Sequence, residues 1–291
     1  MPSAPTDVPT TILTIACPDA TGIVAAVTGF LAQQDCFIVE CAQYGDLSSD
    51  RFFMRAVFQH GDKAPERDVL GSRFAERVAQ RFDMTWAMHD ARRRPKVLIA
   101  VSRFGHCLND LLHRWQTGQL AIDVAGVVSN HEDMRKLVEW HGIPYTHLPV
   151  TKDTKVEQEA RMLRMVEDQD IDLVVLARYM QILTPEACRA LNGRAINIHH
   201  SFLPSFKGAK PYQQAFTRGV KIIGATAHYV TPDLDEGPII EQAVERVDHT
   251  HSVEDLVRVG QDLENVTLAR AVRYHIERRV LINGAKTVVF R

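Results

Sequence analysis

Cysteine is sparse and unpatterned in this chain: Cys17, Cys36, Cys41, Cys107 and Cys188 make an odd five in 291 residues, with no Cys-x-x-Cys pair. A disulfide framework, a redox dithiol and a zinc knuckle therefore have no support, and reduced, mostly buried thiols are expected. Neither sign of charge is in excess. With 34 Lys and Arg against 36 Asp and Glu, interspersed along the chain, the formal net charge is −2. That balance gives no electrostatic case for a nucleic-acid or membrane partner. The dense basic run Arg92-Arg93-Arg94 reads as a solvated linker. No apolar run is long enough to span a bilayer, and residues 1–10 lack the basic start and apolar middle of a signal peptide, so a cytoplasmic location is expected. A metal centre is not expected either. His199, His200, His228 and Asp235 could be written as a ligand set, but adjacent His199 and His200 on a strand would face opposite ways, and no His-Glu-x-x-His spacing occurs.

What is present is enough chain for two domains, dividing at residues 91–95. Residues 11–17 read as a strand, and Ile23, Val24, Val27, Phe30 and Leu31 mark one face of a following helix. Strands at 37–44 and 52–58, a helix over 67–82 and a strand at 84–88 complete a βαββαβ order. That order predicts a ferredoxin-like sandwich for residues 1–90, one antiparallel sheet with two helices on one face. From residue 96 to 291 the pattern changes. Short, nearly continuous apolar runs at 97–101, 122–128, 173–177 and 195–199 alternate with helical stretches at 109–115, 133–140 and 156–167, as in a Rossmann-like, mostly parallel α/β sheet. Strands at 221–230 and 238–244, close in sequence, predict an antiparallel addition; a helix over 252–277 and a short strand at 287–290 follow.

The richest chemistry lies in Ala195-Ile196-Asn197-Ile198-His199-His200-Ser201 and in Pro232-Asp233-Leu234-Asp235-Glu236-Gly237-Pro238. On a strand, residues two apart share a face, so Asn197 and His199 point together while Ile196 and Ile198 enter the core. An amide can donate to a developing oxyanion, an imidazole can move a proton near neutral pH, and the Asp235 carboxylate can orient that imidazole. The plainer reading of an Asn-x-His strand is a pair of polar groups satisfied by backbone. The setting favours chemistry: the Leu203-Pro204 turn and the Gly237-Pro238 step fix loops at strand ends, where sites collect. These runs, with Gly224-Ala225-Thr226-Ala227-His228-Tyr229-Val230, closely resemble the folate-dependent formyltransferase family. The resemblance implies a Rossmann-like fold and an Asn197, His199 and Asp235 trio acting on the formyl group of 10-formyltetrahydrofolate.

It also implies that residues 177–185 line the pteridine pocket, with Met180, Gln181, Leu183, Leu234 and Gly237 as binding residues and Ile182 expected in the core. Gln181 stands where the family usually has Arg. In the family members that formylate glycinamide ribonucleotide, the first strand of this domain runs into a glycine-rich loop that cradles a phosphate. Here that segment is Ser102-Arg103-Phe104-Gly105-His106, in which bulky side chains replace most of the glycines. A blocked cradle implies water as the formyl acceptor, releasing formate and tetrahydrofolate with no cofactor, in balance of the one-carbon pool and formate supply for purine synthesis. Pro18-Asp19-x-x-Gly22-Ile23-Val24 resembles the first turn of ACT modules, implying homo-oligomerisation and an amino-acid effector held by Asp19, Gly22 and Ile23. Asp19 could equally cap the following helix. The alternatives are a formyltransferase to a small amine, an amino-acid-sensing folate binder without turnover, and a scaffold.

Overall fold

A computed structural model of the chain describes residues 8–201 and 211–291, so the expected Leu203-Pro204 turn lies outside the described residues. The chain forms two compact units. One contains residues up to Arg93 with Glu277–Asn283 and Val288–Arg291; the other contains Arg94–Ile276 and Gly284–Thr287.

The first unit runs β1 (Thr10–Pro18), α1 (Ile23–Gln33), β2 (Cys36–Asp46), β3 (Arg51–His60), α2 (Arg67–Phe74) and β4 (Thr85–Asp90). Its antiparallel sheet has the order β2-β3-β1-β4, which is the ferredoxin-like arrangement expected. Alternation along β1 sends Leu13, Ile15 and Cys17 to the helical side, where they meet Ile23, Val27, Phe30 and Leu31 of α1. The second helix is shorter than its pattern implies. After Phe74 the backbone widens into a π-helical turn at Ala75–Ala79 and then tightens at Gln80–Phe82. Phe74 is wedged edge-on between Phe30 and Trp86, at 5.5 and 5.0 Å. The extra residue in the widened turn keeps Val78 and Ala79 on the buried side as the chain swings into β4.

The second unit runs β5 (Lys96–Val101), α3 (His106–Gln116), β6 (Asp123–Ser129), α4 (Arg135–Trp140), β7 (Tyr145–His147), α5 (Lys155–Asp168), β8 (Leu173–Leu176), α6 (Pro185–Ala190), β9 (Ala195–His199), α7 (Pro211–Arg218), β10 (Ile222–Tyr229), β11 (Ile239–Arg246) and α8 (Val253–Ile276). The sheet order is β11-β10-β9-β8-β5-β6-β7. The pairs from β7 to β9 are parallel, and β10 and β11 are added antiparallel. From β5 the chain builds outwards through β6 and β7, then returns to the other side of β5 for β8 and β9. This reversal opens a crevice at the carboxyl ends of β5 and β8, the place where open α/β sheets bind ligands. The sequence pattern did not resolve β7, α6 and α7, which are too short to show a period.

The last elements are β12 (Val280–Asn283) and β13 (Lys286–Val289), a hairpin where one strand was expected. Most of it belongs to the first unit, whereas the sequence reading put residues 96–291 in one domain. The reason lies in β3: Phe52 and Met54 face the helices, so Phe53 faces the other side of the sheet, where Leu281 and Phe290 cover it. Arg279 joins the same face through Glu40 at 3.0 Å, and Arg55 meets the same carboxylate at 2.8 Å. Replacing Phe290 by Ala should lower stability by about 3 kcal/mol in urea unfolding; a loss below about 0.5 kcal/mol would show that the hairpin contributes nothing to this core.

Candidate active site

Strand pairing assembles the polar groups. Asn197 and His199 lie on one face of β9, and the antiparallel register sets His228 of β10 opposite Asn197 and Thr226 opposite His199. Asp235 comes from the loop between β10 and β11. Its Oδ2 lies 3.2 Å from His199 Nδ1 and its Oδ1 lies 3.7 Å from His228 Nε2. The loop that delivers it is forced. Asp235 adopts φ 58°, in the left-handed region, and Gly237 packs so closely that a Cβ would stand 1.7 Å from the Tyr229 carbonyl oxygen. Tyr229 N–H donates to the Pro238 carbonyl at 2.9 Å, locking the return into β11.

Burial alone would raise the Asp235 carboxyl, but the hydrogen bond from His199 outweighs it and holds the group well below the usual carboxylate range. Asp235 is thus an anion that supports a protonated imidazole. His228 has a different part. Its Nδ1 lies 2.9 Å from the Tyr229 carbonyl, which can only accept, so Nδ1 carries the hydrogen. Nε2 is then the atom that accepts from Asn197 Nδ2, 3.3 Å away, leaving the second amide N–H of Asn197 for a ligand. No step had been assigned to His228 from the sequence; its position opposite Asn197 depends on strand register.

His200 departs from expectation. Its ring stacks on His199 with centroids 4.9 Å apart and planes 26° apart. Strand β9 ends at His199, so the alternation that would turn the two rings to opposite faces stops there. Burial, with the Arg178 guanidinium and His199 nearby, pushes the His200 imidazole down to about 4, so it stays neutral near pH 7.

These groups border a cavity of about 620 Å³ whose opposite wall is the segment after β8, including Met180, Gln181, Ile182 and Leu183, closed by Leu234 and Asp235. The segment is tied at both ends. Ser102, just past β5, accepts from Met180 N–H at 3.0 Å and donates to Asn130 at 2.6 Å, while its own N–H donates to the Arg178 carbonyl. At the far end, the buried Glu159 accepts from the Thr184 hydroxyl and N–H, fixing the start of α6. Two expectations are corrected here. Ile182, read as core, is exposed and lines the cavity, because the irregular chain between β8 and α6 does not alternate. Gly237, read as a binding residue, is not among the lining residues, and its place against Tyr229 makes it a shaper of the loop.

In the first unit, Asp19, Gly22 and Ile23 border a shallower cavity of about 610 Å³ with Gln43, Gly45 and Phe52. Gly22 precedes α1 with φ 95°, and no side chain caps that helix, so Asp19 does not serve as its cap. The Asp19 carboxylate instead lies over Gly45, where a Cβ would stand 2.8 Å from Oδ2.

The formyl transferase family matches residues 95–272. The formyltetrahydrofolate deformylase of Corynebacterium sp. (strain P-1) is 54% identical over 96% of this chain and 98% of its own length. The crystal structure of formyltetrahydrofolate deformylase from Burkholderia mallei ATCC 23344 superposes with a TM-score of 0.93 at 56% identity, covering 97% of this chain and all of that one. The chain belongs to the formyltetrahydrofolate deformylases, within the formyl transferase family. A glycinamide ribonucleotide transformylase from Symbiobacterium toebii, by contrast, matches 68% of this chain and 95% of its own, at 30% identity and a TM-score of 0.61.

Apart from the Asn197, His199 and Asp235 cluster, His106, Cys107 and Glu264 are the one grouping among the described residues whose donor atoms lie close enough for a metal, within 4.8 Å. It suits a dication poorly. Glu264 is engaged by His106 Nε2 at 2.7 Å and the Tyr212 hydroxyl at 3.1 Å, with Arg178 Nε at 3.4 Å, and burial raises the Cys107 thiol away from thiolate.

Replacing Gly237 by Ala should cost about 1–3 kcal/mol in thermal unfolding, since backbone must move; an unchanged Tm would show that the loop yields freely. The Asp235 carboxyl sits below its ordinary 3.8, so its stabilisation is present above that pH and is lost as pH falls through the folded value. Asp235→Asn should therefore lose less stability than the parent between about pH 5 and pH 3, and equal losses would sink the pairing with His199.

Proposed function

We propose that the protein hydrolyses 10-formyltetrahydrofolate to formate and tetrahydrofolate. The carrying observation is the His199–Asp235 pair at 3.2 Å with Asn197 on the same strand face, all at the wall of a cavity large enough for a flat heterocycle. The activity named for its relatives supports the same reading. Asp235, with its carboxyl held low, is a weak base, while His199, bonded through Nδ1, offers Nε2 to take a proton. In the proposed step, water attacks the formyl carbon as His199 takes its proton and Asp235 steadies the imidazolium. The oxyanion of the tetrahedral intermediate is met by the free N–H of Asn197, whose other N–H is held by His228. The carbon–N10 bond then breaks and His199 returns the proton to N10. Water, not an amine, fits the surroundings of this site: His106 is bound to Glu264, and Phe104 lies under the Arg178 guanidinium at 5.5 Å.

Met180, Gln181, Ile182 and Leu234 would hold the folate, with the buried Leu183 backing them. No metal or cofactor is required by this chemistry. The ACT-like unit would take a small amino acid between Asp19 and the backbone around Gly22, within a cytoplasmic homo-oligomer. No described helix is long and apolar enough to cross a membrane.

Purified protein should convert 10-formyltetrahydrofolate to equal amounts of formate and tetrahydrofolate with no amine present. Asp235→Asn should lower kcat by about 10³-fold or more with folate binding retained. A reaction that waits for an amine, or near-parent turnover by Asp235→Asn, would overturn the assignment. Repeating the assay with each amino acid tests the effector, which is excluded if none changes the rate.

A further inference from the structure

Behind His200 lies a buried carboxylate that the hydrolytic step does not use. Glu264, on α8, has a side chain only 2% exposed. Its Oε1 accepts from the Tyr212 hydroxyl at 3.1 Å, and its Oε2 lies 2.7 Å from His106 Nε2. Arg178 Nε stands 3.4 Å from the same Oε2, and that nitrogen is buried with no aligned hydrogen-bond partner. Space has been kept for this arrangement. Gly260, one turn before Glu264, leaves room for Tyr212, whose hydroxyl would lie 1.9 Å from a Cβ at that position.

Donors from α3, from the segment after β8 and from α7 thus converge on one point. A phenol, an imidazole and a guanidinium aimed together form a site for an anion, and a carboxylate is withdrawn from water to this degree only where such partners compensate it. The ordinary reading is a structural ion pair joining α8 to α3. Its location argues for more: Arg178 lines the cavity, its left-handed backbone (φ 63°) is strained for a non-glycine residue, and the Tyr212 ring lies 6.4 Å from His200, which is itself stacked on His199. The cage therefore sits one ring behind His199.

We propose that Glu264 is a built-in anion: its carboxylate fills a cage of donors from Arg178, His106 and Tyr212 that would otherwise hold the anionic group of a second substrate, leaving water as the formyl acceptor. This rests on the hydrolytic reading above. Two consequences follow from the charge. The cage is closed to small anions in the parent protein, and the Arg178 cation beside His200 is already balanced.

The test uses full-length Glu264→Ala and Glu264→Gln with inorganic phosphate as the probe. Glu264→Ala should bind phosphate by calorimetry, whereas the parent should not. Its kcat should fall about tenfold or more, as for other supporting charges behind a reacting group, and phosphate should restore part of the loss. Glu264→Gln keeps the shape without the charge, and should lose kcat to a similar extent with the KM for folate unchanged. The proposal is overturned if folded Glu264→Ala binds no phosphate, if phosphate inhibits the parent by occupying the cage, or if Glu264→Gln turns over at the parent rate. That last variant decides the matter should the alanine form fail to fold. A parent protein that releases no formate without an amine would instead sink the hydrolytic reading, and phosphate binding by Glu264→Ala would remain to be read on its own.

Discussion

The antiparallel pairing of β10 against β9 is the constraint on which the rest of the active unit depends. It sets His228 opposite Asn197, and through the turn after Tyr229 it brings Asp235 back over His199. A slip of one residue would turn every side chain of β10 to the other face, taking His228 away from Asn197 and breaking the hydrogen bond that orients its amide. Register here is guarded by packing. Ile196, Ile198, Ala225 and Ala227 are all buried, so neither strand can shift without exposing apolar surface.

The fold classes of both units were legible because periodicity is a local signal. β5, β6, β8 and β9 are apolar runs buried on both faces, and α1 carries its buried stripe in plain view. The Asn197–His199 pair was legible for the same reason, since two residues on one strand must share a face. Asp235 could be associated with them only by resemblance, because what brings it to His199 is a loop with a left-handed residue and a glycine against a carbonyl. Long-range groupings were not legible. Glu264 sits 158 positions from His106 and reads, in a helical pattern, as one more solvated acid. The hairpin at β12 and β13 was missed as such because its partner surface, Phe53, lies far away in sequence.

Several features that would lower stability elsewhere cluster around the cavity. Arg178 and Asp235 both hold positive φ, Glu264 is a buried charge, and His200 is a half-buried imidazole kept neutral. Such features persist where surrounding structure over-determines them. Here the surroundings are explicit: Ser102 and Glu159 anchor the segment carrying Arg178, Gly237 and Pro238 anchor the loop carrying Asp235, and three donors hold Glu264. The strain is local, and the rigid sheet beneath carries it.

The division of the chain also has a consequence for the order in which it is made. Most residues after Ile276 return to the first unit, so the bulk of the α/β unit is inserted between two parts of the ferredoxin-like one. During synthesis from the N-terminus, the sheet of the first unit emerges well before the Leu281 and Phe290 side chains that cover Phe53. One face of that sheet therefore stays bare until the α/β unit has been made. The first unit to appear is finished only after the second, and a chain cut before Leu281 would leave Phe53 uncovered.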